Sequence, residues 1–287
     1  MRYRTQLPSE TNQMQPEDSD TAPLTPPLSL SLSIESREVS LKTLKHFLIW
    51  TIFFWGGTFI WAILFYTGVL SFLVSTKLSL YGISIWLNGW IVIYYMSDKH
   101  NRSKFEVYHD CLVVWLLSYM MTNVLWEIPW LLCSPFVFEN LETTADIVAK
   151  TDYMRESVLH MYWWVLASFG SVDLRTVNHD PTFYTIELYS IVNIASTLYF
   201  FHLNKTKSPY RYLVVVIGCG EPVAATLVFS FVEVVAGFPN MTDSVADIFL
   251  ALVWTQYQYV LFPLVFGYVA SVLLLEDWRK FTGGKVY

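Results

Sequence analysis

Glu127, Glu187, Glu221 and Glu233 stand inside stretches of Leu, Val, Ile, Phe and Trp long enough to cross a bilayer. An ionised side chain costs on the order of 3 kcal/mol at mid-helix on insertion scales. Intramembrane carboxylates are kept mainly to move protons, to balance a cation or to bind a ligand, so these four define the candidate chemistry. Other polar residues fall at helical spacing around them. Ser190 lies three positions after Glu187 and Tyr259 three after Gln256, so each pair shares a helix face. Asn193 and Thr226 add an amide and a hydroxyl, and Trp126 and Tyr259 supply rings beside polar positions. This pattern predicts a polar pocket walled by aromatics.

The elements that must position these residues are membrane helices. Of 287 residues, 54% are hydrophobic and only 15% charged, which excludes an ordinary soluble domain. The net charge of -6, with no basic aromatic patch, argues against nucleic acid as a partner. Counting about 20 apolar residues per crossing, the chain predicts six spans, near 47–70, 78–96, 111–133, 183–203, 212–236 and 248–275. The expected fold is therefore an all-α integral membrane protein, a bundle of about six transmembrane helices. Residues 1–44, rich in Ser, Thr and Pro, are expected to form a disordered tail. Residues 45–76 form an additional N-terminal helix acting as an uncleaved anchor, 78–277 the main bundle, and 278–287 a C-terminal tail.

Placing both termini in the cytosol puts Lys99, Arg102 and Lys104, then Lys205, Lys207 and Arg211, then Arg279, Lys280 and Lys285 on the cytosolic side. The positive-inside rule is then satisfied at every short loop. The opposite face receives 134–182, with Glu139, Glu142, Asp146, Asp152 and Glu156, and the short 238–247 loop. Within this scheme the first two helices turn near Ser75 to Lys77, and the run 158–169 is too short to span and lies at the interface. Glu127, Glu187, Glu233 and Gln256 come to similar depth, with Glu221 deeper beside Pro222, whose ring frees a backbone carbonyl. Cys111, Cys133 and Cys219 sit in apolar runs without metal-site spacing, and no Gly-rich phosphate loop is present. No cofactor or metal is expected.

Order and spacing together resemble the emopamil-binding protein family, whose shared EXPERA domain is a bundle of membrane helices. In its sterol isomerases one span carries His-x-x-x-Glu, an Asp-x-Arg precedes a catalytic Glu by twelve positions from the Arg, and the last span carries Asn-x-x-Trp-x-x-x-Pro. Here Asn123 and Glu127 stand at the first pair, with Asn replacing His. Asp173 and Arg175 match the Asp-x-Arg, Glu187 follows Arg175 by twelve positions, and Ser190 stands where the family has Thr. Gln256 and Tyr259 replace Asn and Trp, and Pro263 keeps its offset. The similarity covers roughly 78–277, a five-helix isomerase-like core.

The resemblance implies a sterol or isoprenoid double-bond isomerase of the endoplasmic reticulum membrane, working by acid and base catalysis through a carbocation. Glu127 and Glu187 would be catalytic, and Asn123, Trp126, Ser190, Gln256 and Tyr259 would bind substrate. Asp173, Arg175, Glu221 and Glu233 would support them. The expected partners are a sterol or isoprenoid small molecule and the lipid bilayer, with a homodimer left open. Because an amide cannot exchange protons as imidazole does, a non-catalytic sterol-binding protein stands beside the enzyme; in the enzyme reading, His160 or His179 would substitute for the missing imidazole. A proton-coupled transporter is a third reading, without the internal repeat such proteins carry. The plainer alternatives are that Glu127 and Glu187 are interhelical glue, that Glu233 snorkels, and that Asp173 and Arg175 form an ion pair at the pocket mouth.

Overall fold

The computed structural model describes residues 37–97, 101–138, 141–156, 161–241 and 244–282, all within one compact unit. Residues 1–36 of the tail, the end of the C-terminal tail from 283, and Lys99, Glu139 and His160 lie outside the described residues. Among the described residues, five helical segments are long and apolar enough to cross a membrane: Leu41–Tyr66, Phe72–Met96, Lys104–Phe136, Arg211–Ala236 and Val245–Phe281. The chain is an all-α, multi-pass membrane protein. The stretch expected to span at 183–203 is instead divided into α9 (Pro181–Glu187) and α10 (Tyr189–Lys205), hitched at Leu188.

α1 (Leu41–Tyr66) begins at Ser40, whose hydroxyl accepts from the Thr43 N–H, and runs antiparallel to α2 (Phe72–Trp86). The turn between them is Thr67 to Ser71, not Ser75 to Lys77. Gly68 takes φ +76°, a left-handed conformation that glycine adopts without steric cost, and Ser71 caps the next helix. Ser75 and Thr76 stay helical because their hydroxyls bond back to the Phe72 carbonyl at 2.9 and 2.8 Å. α3 (Gly89–Met96) starts on a glycine because a Cβ there would lie 2.7 Å from the Trp50 ring of α1.

α4 (Lys104–Thr122) opens with a reciprocal Ser103/Glu106 cap. It passes through a wide turn at Asn123–Glu127, closed by the Ile128 N–H on the Asn123 carbonyl, into α5 (Ile128–Val137). Such i to i−5 turns widen a helix by one residue, and Pro129, which has no N–H, cannot complete a regular turn here. α6 (Thr144–Ala149), α7 (Thr151–Arg155) and α8 (Met161–Ala167) are short. Together with the 3₁₀ turns Phe169–Ser171 and Leu174–Thr176 they form a cap over one end of the bundle.

α11 (Arg211–Gly218) continues through Cys219 into α12 (Gly220–Ala236). α13 (Val245–Phe249) passes through a second wide turn, Leu250–Trp254, where the Thr255 N–H meets the Leu250 carbonyl at 3.0 Å, into α14 (Tyr257–Phe281). At the end away from the cap, α4, α11 and α14 pack on Trp115, which stacks on Phe266 at 4.7 Å and 10°. Buried charges join the same end: Arg211 Nε lies 2.9 Å and Arg37 Nη2 3.0 Å from the Asp277 carboxylate. The cap is fastened by three indole N–H groups. Trp126 donates to the Val165 carbonyl at 3.0 Å, Trp130 to that of Thr176 at 2.8 Å, and Trp164 to Ser75 Oγ at 3.1 Å.

Candidate functional site

Beneath the cap, α4, α9, α10, α12 and α14 surround a cavity of about 130 Å³. Glu127 reaches it from the end of the first wide turn, and Glu187 from the last turn of α9. Ser190, in the first turn of α10, stands between them: its Oγ lies 2.5 Å from Glu127 Oε2 and 3.5 Å from Glu187 Oε2. A hydroxyl carries one proton, so it donates to one carboxylate at a time and can accept from the other when that one is protonated.

Asn123 is fully buried one turn before Glu127. With its amide nitrogen turned toward Glu127, the orientation that satisfies both groups, it donates to Glu127 Oε2 and to the Tyr119 carbonyl at 3.3 Å. Glu127 therefore accepts on Oε2 from two donors, while Glu187 is left with the longer Ser190 contact. The wide turn matters here. By adding a residue to the turn it brings Glu127 onto the cavity side together with Tyr119 and Thr122, while Asn123 stands behind Glu127 without lining the cavity itself.

A second polar branch enters from α12. Glu221, half-buried beside Pro222, accepts from Asn193 Nδ2, which also lies 3.2 Å from the Tyr119 hydroxyl. Gln256 and Tyr259 line the cavity from the start of α14, and Tyr259 packs on Tyr119 with ring centroids 5.4 Å apart. Trp126 stacks on Trp130 at 6.2 Å and 20°, and Phe169, Phe183 and Phe229 complete the aromatic wall. Among the described residues the lining carries three carboxylates and no Lys, Arg or His. No group of three or more His, Cys, Asp or Glu side chains among those residues is arranged to hold a metal ion.

Glu233 does not join this group, although depth along its helix places it near Glu187. It is buried at 1% exposure against Arg175, 3.4 Å from its Nε, and accepts from the Asn240 N–H at 2.9 Å. Arg175 also grips both oxygens of Asp173, at 3.0 and 2.7 Å, donates to the Phe229 carbonyl at 2.8 Å, and lies 3.8 Å over the Phe229 ring. The expected ion pair of Asp173 and Arg175 thus forms, but with Glu233 as a third member and fully buried behind the Phe229 wall, as a strut between cap and α12. Burying such charges is tolerated only with this degree of pairing. His179 is likewise outside the cavity, its Nε2 2.8 Å from the Phe138 carbonyl and its Nδ1 3.3 Å from the Tyr184 hydroxyl.

Two participants escape a sequence reading. Tyr119 lies four positions before Asn123 on the same helix face, a signal hidden among the aromatics of a membrane span. Trp55 lines the cavity from α1, so the N-terminal helix is part of the pocket wall and not only an anchor. Compared with protein-family models, curated proteins and solved structures, the chain matches none.

Proposed function

We propose that the chain is a membrane enzyme that shifts a carbon–carbon double bond in a sterol or related isoprenoid by intramembrane acid and base catalysis. The observation that carries this is the pair of carboxyls, Glu127 and Glu187, bridged by one hydroxyl and facing an aromatic-walled cavity with no basic side chain among the described residues. Ring-bond migration needs an acid to protonate one alkene carbon, a base to take a proton from another, and surroundings that tolerate the carbocation between them. Glu187 fits the acid. Glu127, held as an acceptor by Ser190 and Asn123, fits the base, and three carboxylates with rings on several sides favour a cation at the centre. The proton removed by Glu127 returns to Glu187 through the Ser190 hydroxyl, which donates to one carboxyl while accepting from the other.

In this reading α9 and α10 together make a sixth crossing, both termini are cytosolic, and the membrane is that of the endoplasmic reticulum, as the likeness to the emopamil-binding protein family suggests. A second reading, a sterol-binding protein without catalysis, is favoured by Asn123. Its amide occupies Glu127 where the family places an exchangeable imidazole.

The test is conversion of a delta-eight sterol by microsomes from a host lacking its own isomerase, run in deuterated water. Conversion with deuterium uptake is expected from the natural chain, falling by at least about 100-fold in Glu127→Gln and in Glu187→Gln. Bound sterol without conversion would transfer the assignment to the binding protein, and absence of both would end the lipid reading.

A further inference from the structure

Beside the cavity runs a larger cleft, about 520 Å³, between α9 and α12. One wall carries Thr182, Thr185 and Ile186, the other Ala224, Ala225 and Val228, each set at the spacing of a single helix face. The cleft exists because Thr faces Ala across it: small side chains leave a gap that Leu or Phe would fill. Ile186, Tyr189, Glu221 and Ala225 line both cleft and cavity, so the two spaces meet at these residues. The outer lips are apolar and bare. Tyr189 and Val228, which line the cleft, are 44% and 51% exposed, and α12 belongs to one of the five segments long and apolar enough to cross a membrane. The mouth of the cleft therefore opens toward lipid rather than water.

We propose that this cleft is the route by which a hydroxyl-bearing isoprenoid lipid passes sideways from the bilayer into the cavity, between α9 and α12. The inference rests on the lipid-pocket reading above. Over the cavity the cap is fastened by the indoles of Trp126, Trp130 and Trp164, whereas the cleft, about 520 Å³ in volume, adjoins the cavity from the side. A lipid substrate dissolved in the membrane already lies at the mouth, so it needs no aqueous step. At the inner end Glu221 supplies an acceptor for the hydroxyl, at the point where the surroundings change from apolar to polar. Asn193, which donates to Glu221, keeps that carboxylate turned inward.

The experiment uses the full chain in microsomes with a diazirine-bearing sterol photoprobe, the labelled residues being mapped by mass spectrometry over a time course. Adducts are expected in the cavity and at Tyr189 and Glu221. Ala224→Trp and Thr185→Trp, which change opposite walls of the cleft and leave the cavity lining untouched, are each expected to slow cavity labelling about tenfold, as obstruction of an entry step does. Final labelling should be unchanged, which shows that the pocket has folded. Cavity labelling at the natural rate in either folded variant, or adducts leading out between a different pair of helices, would overturn the cleft while leaving the pocket assignment intact. A natural chain with no cavity labelling would overturn both.

Discussion

Ser190 has one hydroxyl proton and two carboxylate neighbours, which makes it the residue where proton transfer and simple glue give different outcomes. If the proton is passed between Glu187 and Glu127 through Oγ, Ser190→Ala should lower turnover about 100-fold with little change in sterol affinity, while Ser190→Thr, which keeps the hydroxyl, should remain within a few-fold of the natural chain. If the hydroxyl only holds helices together, the Ala variant should lose thermal stability by about 1 kcal/mol and keep its turnover. Single-turnover rates and melting temperature in detergent, measured on the same preparations, separate the two. The meeting of Glu127, Glu187 and Ser190 is legible in the amino-acid sequence because carboxylates are conspicuous in apolar surroundings and Ser190 shares a face with Glu187. Depth alone places Glu233 among them. Depth does not say which way a helix is turned, and rotation of α12 sends Glu233 to Arg175 and brings Glu221 into the cavity instead.

At the scale of elements, the cap is held to the bundle by the buried triad as well as by its indoles. Arg175 is 1% exposed and serves two carboxylates and a carbonyl, so Arg175→Met leaves Asp173 and Glu233 buried without their cation. The expected loss is about 3–5 kcal/mol of stability, with faster proteolysis of the cap segment around residues 141–156. A smaller loss with an unchanged digestion pattern would mean that the indole anchors alone secure the cap. Helix positions follow from hydropathy, but interruptions follow from local chemistry that hydropathy averages away. Ser75 and Thr76 read as a break yet satisfy their own hydroxyls within α2, while the true turn needs the positive φ of Gly68. The wide turns at Asn123–Glu127 and Leu250–Trp254 carry no distinctive composition. Each is a matter of one backbone hydrogen bond reaching one residue further, and both lie beside cavity residues.

At the scale of the whole molecule, the arrangement across the membrane can be tested without any ligand. Three Asn-x-Ser/Thr sequences occur, at Asn101, Asn204 and Asn240. Asn204 gives its amide nitrogen to the Arg37 carbonyl at 3.1 Å and accepts from Arg211 at 2.8 Å, so a glycan would have to displace a part-buried junction of α10 and α11 with the segment that precedes α1. Asn240 similarly donates to Glu233 at 3.1 Å. The structure thus keeps two of the three from serving as reporters of sidedness. The cap offers a clean one, because Glu142 is exposed and precedes Thr143 and Thr144, and Glu142→Asn completes an acceptor sequence by a single substitution. In the proposed orientation, with both termini cytosolic as the positive-inside rule favours, the cap faces the lumen. The variant should then acquire a glycosidase-sensitive mobility shift that the natural chain lacks. Asn101, at the opposite end, should stay unmodified in both. A shift at Asn101 with none from Glu142→Asn would invert the molecule in the membrane. It would also place the Arg37, Arg211 and Asp277 cluster on the lumenal side, against the charge asymmetry that orients membrane helices.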